Sequence, residues 1–126
     1  MVRKKQPRLS PLETTVMDVV WAQASVTAEQ VRRLLEKKQP MKDSTVRTVL
    51  RRLEHKGYAK HRVEGRVYVY EPKVQPQRVA AEAVRRIIDR FCAGSVEKLL
   101  VGMVDDQIVS HDELAELVRK IAESEK

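Results

Sequence analysis

Between Lys42 and Arg66 the chain concentrates side chains that donate hydrogen bonds or carry positive charge: Lys42, Ser44, Thr45, Arg47, Thr48, Arg51, Arg52, Lys60, Arg62 and Arg66. These residue types recognise a partner rather than transform it. A guanidinium can grip guanine through O6 and N7, and a threonine offers its hydroxyl as donor or acceptor and its methyl to thymine. Lysines and arginines around such readers neutralise phosphates. For any one arginine alone an ordinary solvated charge is the plainer reading, and it is their shared placement that points to a partner.

Spacing supplies that placement. Val46, Val49, Leu50 and Leu53 recur at i, i+3, i+4 and i+7, which makes one apolar stripe on a helix. The opposite face carries Ser44, Thr48, Arg51 and His55, flanked by Thr45, Arg47 and Arg52, and Gly57 stands where a helix-ending glycine is expected. A helix in the major groove reads bases with side chains near its amino-terminal end. Those are Ser44, Thr45, Arg47 and Thr48, with Arg47 the best single base reader on chemistry alone; Lys42, Arg51, Arg52, Lys60, Arg62 and Arg66 are better placed for the phosphate backbone.

After Gly57 the period changes. Residues 58–63 and 66–70 are rich in Val and Tyr, with Glu64-Gly65 as a turn and Pro72 as a stop, which predicts a hairpin with cations along it and near its tip. Upstream, Ser10-Pro11-Leu12-Glu13 forms a capping box with proline at the first helical position. It opens a helix striped by Leu12, Val16, Val19 and Val20, with Trp21 as a core anchor. A second box, Thr27 to Gln30, opens a helix ending before Pro40 whose Ala28, Val31, Leu34 and Leu35 face inward. Residues 39–43 then form a short connection. Helix, helix, helix, hairpin is the winged helix-turn-helix order. Ahead of it, residues 1–9 carry Arg3, Lys4, Lys5 and Arg8 and no apolar cluster, and are expected to be a mobile basic tail.

The rest of the chain has a different character. The 126 residues carry a net charge of +7, but residues 1–73 hold 17 Lys and Arg against 8 Asp and Glu, while residues 74–126 hold 8 against 10. All the excess positive charge belongs to the part with the donor-rich helix, which points that part at an anionic partner. Residues 71–77, with two prolines, read as a linker or boundary. Beyond them Val79, Ala83, Val84, Ile87, Ile88 and Phe91 stripe a helix that stops at Gly94, and Val96, Leu99, Leu100, Met103 and Val104 stripe a shorter one. A third capping box, Ser110 and Glu113, opens a last helix striped by Leu114, Leu117, Val118 and Ile121. A segment this small is marginal alone, and a second copy is the economical partner for its stripes. The alternative is packing back on the amino-terminal part. The expected architecture is therefore mostly α with a small β wing: a winged helix-turn-helix domain, 1–73, and a helical dimerisation domain, 74–126. Dimerisation is assigned to Val84, Ile87, Ile88, Phe91, Leu99, Leu100, Leu114, Leu117 and Ile121.

Other classes find little support. His55, His61 and His111 are scattered, no nucleophile stands beside a paired base, and no glycine-rich phosphate loop occurs, which argues against an enzyme. His55 and His61 straddle the helix-to-hairpin corner, a weak metal signal without a third ligand. Cys92, the single cysteine, excludes an intramolecular disulfide and reads as a buried thiol, with a redox sensor as the sharper alternative. No cofactor is expected. No apolar run reaches the roughly 18 residues of a membrane span, and the first residues lack a secretory apolar core, so a cytoplasmic protein is expected. A winged-helix module binding an acidic protein is the rival reading.

The runs Thr45 to Leu53, Lys56-Gly57, Glu64 to Tyr70 and Pro72, with Leu9 to Glu13 and Val19-Val20-Trp21, resemble the penicillinase repressor family (BlaI/MecI/CopY). The resemblance implies a winged-helix reading head, a helical dimerisation domain and a homodimer on a dyad-symmetric operator in double-stranded DNA. It also implies base contacts at Thr45 and Thr48, a tuning role for Arg47 at a position that varies among members, and a backbone contact at Arg66. The copper-responsive branch is similar to thiolate metal sensors with a cysteine cluster, which Cys92 alone does not supply. In the antibiotic-responsive branch a membrane sensor protease triggers cleavage at an Asn-Phe bond, and this sequence contains no asparagine. Release then uses another bond or another route.

Overall fold

Reciprocal capping boxes start α1 (Pro11–Gln23), α2 (Ala28–Leu34) and α6 (His111–Ser124): Ser10, Thr27 and Ser110 each accept the backbone N–H three residues on, and Glu13, Gln30 and Glu113 reach back. The computed structural model describes residues 6–125. α3 spans Asp43–His55, α4 Pro76–Phe91 and α5 Val96–Asp105; β1 is Val26–Thr27, β2 Ala59–Glu64 and β3 Val67–Pro72. The strands form one antiparallel sheet in the order β1-β3-β2.

The apolar stripe of α3 is the centre of the amino-terminal core, with Val46, Val49, Leu50 and Leu53 buried against Val16, Met17 and Val20 of α1 and Val31 of α2. Leu12, Val19 and Trp21 pack at its edge. Trp21 also donates its indole N–H to the Val74 carbonyl at 2.9 Å. α3 ends in a Schellman arrangement, Gly57 N–H to Glu54 O and Tyr58 N–H to Leu53 O, with Gly57 at φ +87°.

Several expectations change. Leu34 is 53% exposed rather than inward-facing. At 100° per residue Ala28, Val31 and Leu35 share about 60° of arc, and Leu34 lies about 90° from its centre. The second helix does end before Pro40, at Leu34, and turns follow. β1 was not expected: two residues are too short for a period, and their register, Val26 with Tyr70 and Thr27 with Val69, is a long-range pairing. In the hairpin Glu64 pairs with Val67, so the loop is Gly65-Arg66 with Gly65 at φ +65°, and Arg66 sits in the turn rather than opening the strand.

Within residues 71–77 Val74 is a core residue and Lys73 N–H donates to Tyr58 O at 2.8 Å, while the Lys73, Gln75, Pro76 and Gln77 side chains are exposed. The expected mobile tail is pinned where it is described. Gln6 Nε2 donates to Gly57 O at 2.7 Å, Tyr58 Oη to Pro7 O at 2.5 Å and Lys56 Nζ to Arg8 O at 2.8 Å. Arg3, Lys4 and Lys5 lie outside the described residues.

Lys56 also meets Glu13, whose carboxylate is the buried acid of this core, at 2.7 Å. Burial pushes the Glu13 pKa up, but the Lys56 ammonium and the Ser10 backbone and hydroxyl donors pull harder, leaving it below the ordinary carboxylate value. A depressed folded value means that the contribution is present above the unfolded carboxylate pKa and is lost as pH falls through the folded one. Glu13→Ala should destabilise the protein by about 2–4 kcal/mol, by removing the carboxylate partner of Lys56 and half a capping box. Urea melts would show this at neutral pH, with the gap to the parent closing in acid. An unchanged midpoint at pH 7 would contradict it.

The chain divides into two compact units, one up to Ala80 and one from Ala81. The first turn of α4 belongs to the former, where Val79 packs on the core. In the second unit Ile88 is buried, while Val84, Ile87, Phe91, Leu117 and Ile121 are exposed, Phe91 at 74% and Ile121 at 59%. Leu99, Leu100 and Leu114 are half-buried. Cys92 is half-buried rather than buried, because α4 ends at Phe91 and leaves it in the following turn.

Candidate nucleic-acid interface

With its apolar stripe sunk in the core, α3 must turn its other face outward. Ser44, Arg47, Thr48, Arg51, Arg52 and His55 are exposed there, Thr45 is half-buried, and Lys42 sits exposed at the N-cap. Thr48 Oγ1 donates to the Ser44 carbonyl at 2.9 Å, which leaves its oxygen lone pairs as acceptors for a partner. Arg47 Nε meets Asp43 Oδ2 at 2.8 Å, one turn back on the same helix. The structure thus gathers the candidate base readers on the first turns of α3, with Arg51 and Arg52 further along.

The hairpin treats its cations unequally. Arg62 lies between Glu64, at 2.5 Å, and Glu71, at 3.1 Å, and the Glu64 hydrogen bond raises its pKa further above its already high value. Lys60 and Arg66 are exposed, and no ion pair engages either among the described residues. Arg66, in the turn itself, projects from the end of the hairpin.

A second cluster sets the hairpin against the helix. His61 Nδ1 lies 2.6 and 2.7 Å from the two Glu54 carboxylate oxygens. A carboxylate only accepts, so Nδ1 carries the proton. The His61 ring stacks on Tyr68 at 4.1 Å and 8°, with Tyr70 tilted at 5.7 Å. Burial, and then the Glu54 charge, raise the Tyr70 pKa. Cross-strand pairing puts these rings on one face of the hairpin, because His61 opposes Tyr70 and Val63 opposes Tyr68. Sequence reasoning weighed His61 as a metal ligand and missed this latch. A carboxylate late in a helix facing a histidine and tyrosines of the next strands was the available signal. Asp43 was also missed. No cluster of three metal-ligating side chains occurs among the described residues.

In the second unit α5 and α6 enclose a groove of about 520 Å³ floored by Leu100, Val101, Val104 and Leu114, with Glu97, Asp105 and His111 also lining it. No described helix is long and apolar enough to cross a membrane.

Comparison with known proteins follows the same outline. The penicillinase repressor family model matches residues 9–123. The penicillinase repressor of Bacillus licheniformis is 30% identical over 120 residues, covering 95% of this chain and 94% of that protein. Among solved structures, the DNA-binding domain of the repressor BlaI is 38% identical with a TM-score of 0.52, covering 59% of this chain and 90% of that one. The monomeric form of Bacillus licheniformis BlaI in complex with the blaP half-operator is 37% identical with a TM-score of 0.50, covering 60% of this chain and 92% of that one.

Proposed function

Since this chain belongs to the penicillinase repressor family, we propose that it represses transcription as a homodimer on a dyad-symmetric operator, with α3 in the major groove and the β2–β3 wing on the backbone. The observation that carries this reading is the division of α3 into a wholly buried stripe and a donor-rich exposed face. Ser44, Thr45, Arg47 and Thr48 would read bases; Lys42, Arg51, Arg52, Lys60 and Arg66 would hold phosphates, with Arg62 contributing less while Glu64 and Glu71 engage it. The relative solved on its half-operator binds DNA as a monomer, and this domain is offered the same role.

The homodimer rests on the exposed apolar residues of the second unit. Val84, Ile87, Phe91, Leu117 and Ile121 are large apolar residues exposed in the single chain, and a second copy would cover them. Release would act there, through an inducing signal that cuts or unfolds this unit, a sensor protease being one such agent. Chemistry on a substrate is not part of the role, as the family is one of repressors.

Side-chain removal separates readers from phosphate contacts. Arg47→Ala and Thr48→Ala should each weaken binding to the best operator by roughly 1–3 kcal/mol and relax sequence preference. Arg66→Ala should weaken all duplexes about equally and reduce the slope of log affinity against log salt by about one for each half-site. Equal losses on operator and random duplex for Arg47→Ala would move that residue to the backbone. Failure of every duplex, with capture of an acidic protein instead, would favour the protein-interaction module.

A further inference from the structure

A carboxylate on the first turn of a helix that enters a DNA groove works against binding, because it faces phosphates. Asp43 is such a group, exposed and on the first turn of α3. Capping does not explain it, since the N-cap is Lys42 and makes no side-chain cap bond. The helix dipole favours an acid at this end, and a pairing to Arg47 four residues on adds modest local stability. Neither effect decides what Arg47 presents to a partner. The contact itself does. Asp43 Oδ2 takes the Nε of Arg47 at 2.8 Å. Of the five guanidinium N–H groups this leaves those on the two terminal nitrogens, a planar pair that matches O6 and N7 of guanine. Thr48, the neighbouring reader, is likewise tied, through its hydroxyl, to the Ser44 carbonyl.

We propose that Asp43 is a specificity-determining positioning residue. By holding Arg47 through Nε it restricts the guanidinium to an end-on grip on guanine, and its own charge penalises any duplex that gives Arg47 no such partner. Rejection of wrong sequences by an uncompensated charge is a general route to selectivity. The inference rests on Arg47 being a base reader, as proposed above.

The test is selection from a library of randomised duplexes with the full chain and with Asp43→Ala, Asp43→Asn, Arg47→Ala and the Asp43→Ala, Arg47→Ala double variant. Asp43 is exposed, so the variants keep the core. Arg47→Ala should abolish preference for one guanine. Asp43→Ala should lower that preference about tenfold while random duplex binds several-fold tighter at equal salt. Asp43→Asn, which keeps an oxygen acceptor for Nε but loses the charge, should bind random duplex tighter than the parent and keep a preference between those of the parent and Asp43→Ala. In the Arg47→Ala background the loss of Asp43 should leave base preference unchanged. A purely structural Asp43 would alter all sequences equally and move none of these ratios. If Arg47→Ala loses the guanine and Asp43→Ala keeps it in full, the role of Asp43 is overturned and Arg47 stands as a reader. If Arg47→Ala selects the parent's sequences, the reading of Arg47 falls and this inference falls with it.

Discussion

A chain ending at Ala80 will stay folded, will be monomeric, and will bind the operator on the order of a hundredfold more weakly than the full chain. Folding is expected because the amino-terminal core closes before the cut: Val74 is buried in it and Val79 packs on it, while Ala80 ends the first compact unit. Monomerisation follows from the loss of Ile87, Phe91, Leu117 and Ile121, all exposed in the single chain. Two linked heads meet their half-sites at an effective concentration in the millimolar range, so separating them can weaken binding by about 10²–10⁴ with no contact to DNA altered. The same arithmetic explains why an event confined to the helical unit could release the operator. Light scattering and operator binding at equal salt check both halves. A truncated chain that stays dimeric, or that binds as tightly as the full one, would show that the second unit is not the dimer module.

Raising salt from 50 to 200 mM will weaken binding to any duplex by roughly 10³–10⁵, because a dimer offering about ten phosphate contacts releases a comparable number of condensed counterions. The structure predicts unequal shares. Lys60 and Arg66 enter with no ion pair to break among the described residues, whereas Arg62 must leave Glu64 and Glu71. Arg62→Ala should therefore change the salt slope less than Arg66→Ala does. Equal changes would mean that both carboxylates are displaced on binding, and a shallow slope for the parent chain would point away from DNA.

How much of this the sequence could tell depended on whether a feature is local. The α3 stripe was readable because four apolar residues at helical spacing have no other economical arrangement, and all four are buried. The capping boxes were readable because each closes within four residues. What escaped is set by distant partners. β1 exists only because Val26 and Thr27 meet β3. The strap of residues 6–8 is held by Lys56, Gly57 and Tyr58, some fifty positions away. Met17 was left out of the α1 stripe although it is fully buried, because α1 turns a wider face to the core than the expected stripe allowed. On the candidate interface the donor types were visible, but their engagements were not. Arg47 with Asp43 and His61 with Glu54 are choices among several charged neighbours that composition leaves open. Leu34 marks the opposite error, an apolar residue assumed to be inside on a helix too short to bury both of its flanks.

The central claim is that each chain carries one reading head and that two heads act together across a dyad. A footprint of the full chain on its selected duplex tests this most directly, with the chain ending at Ala80 run beside it. The account predicts protection symmetric about a two-fold axis, with half-site centres about one helical turn or a small multiple apart. Both halves should fill together for the full chain and independently for the short one. A single asymmetric protected site at saturating full-length protein would contradict it.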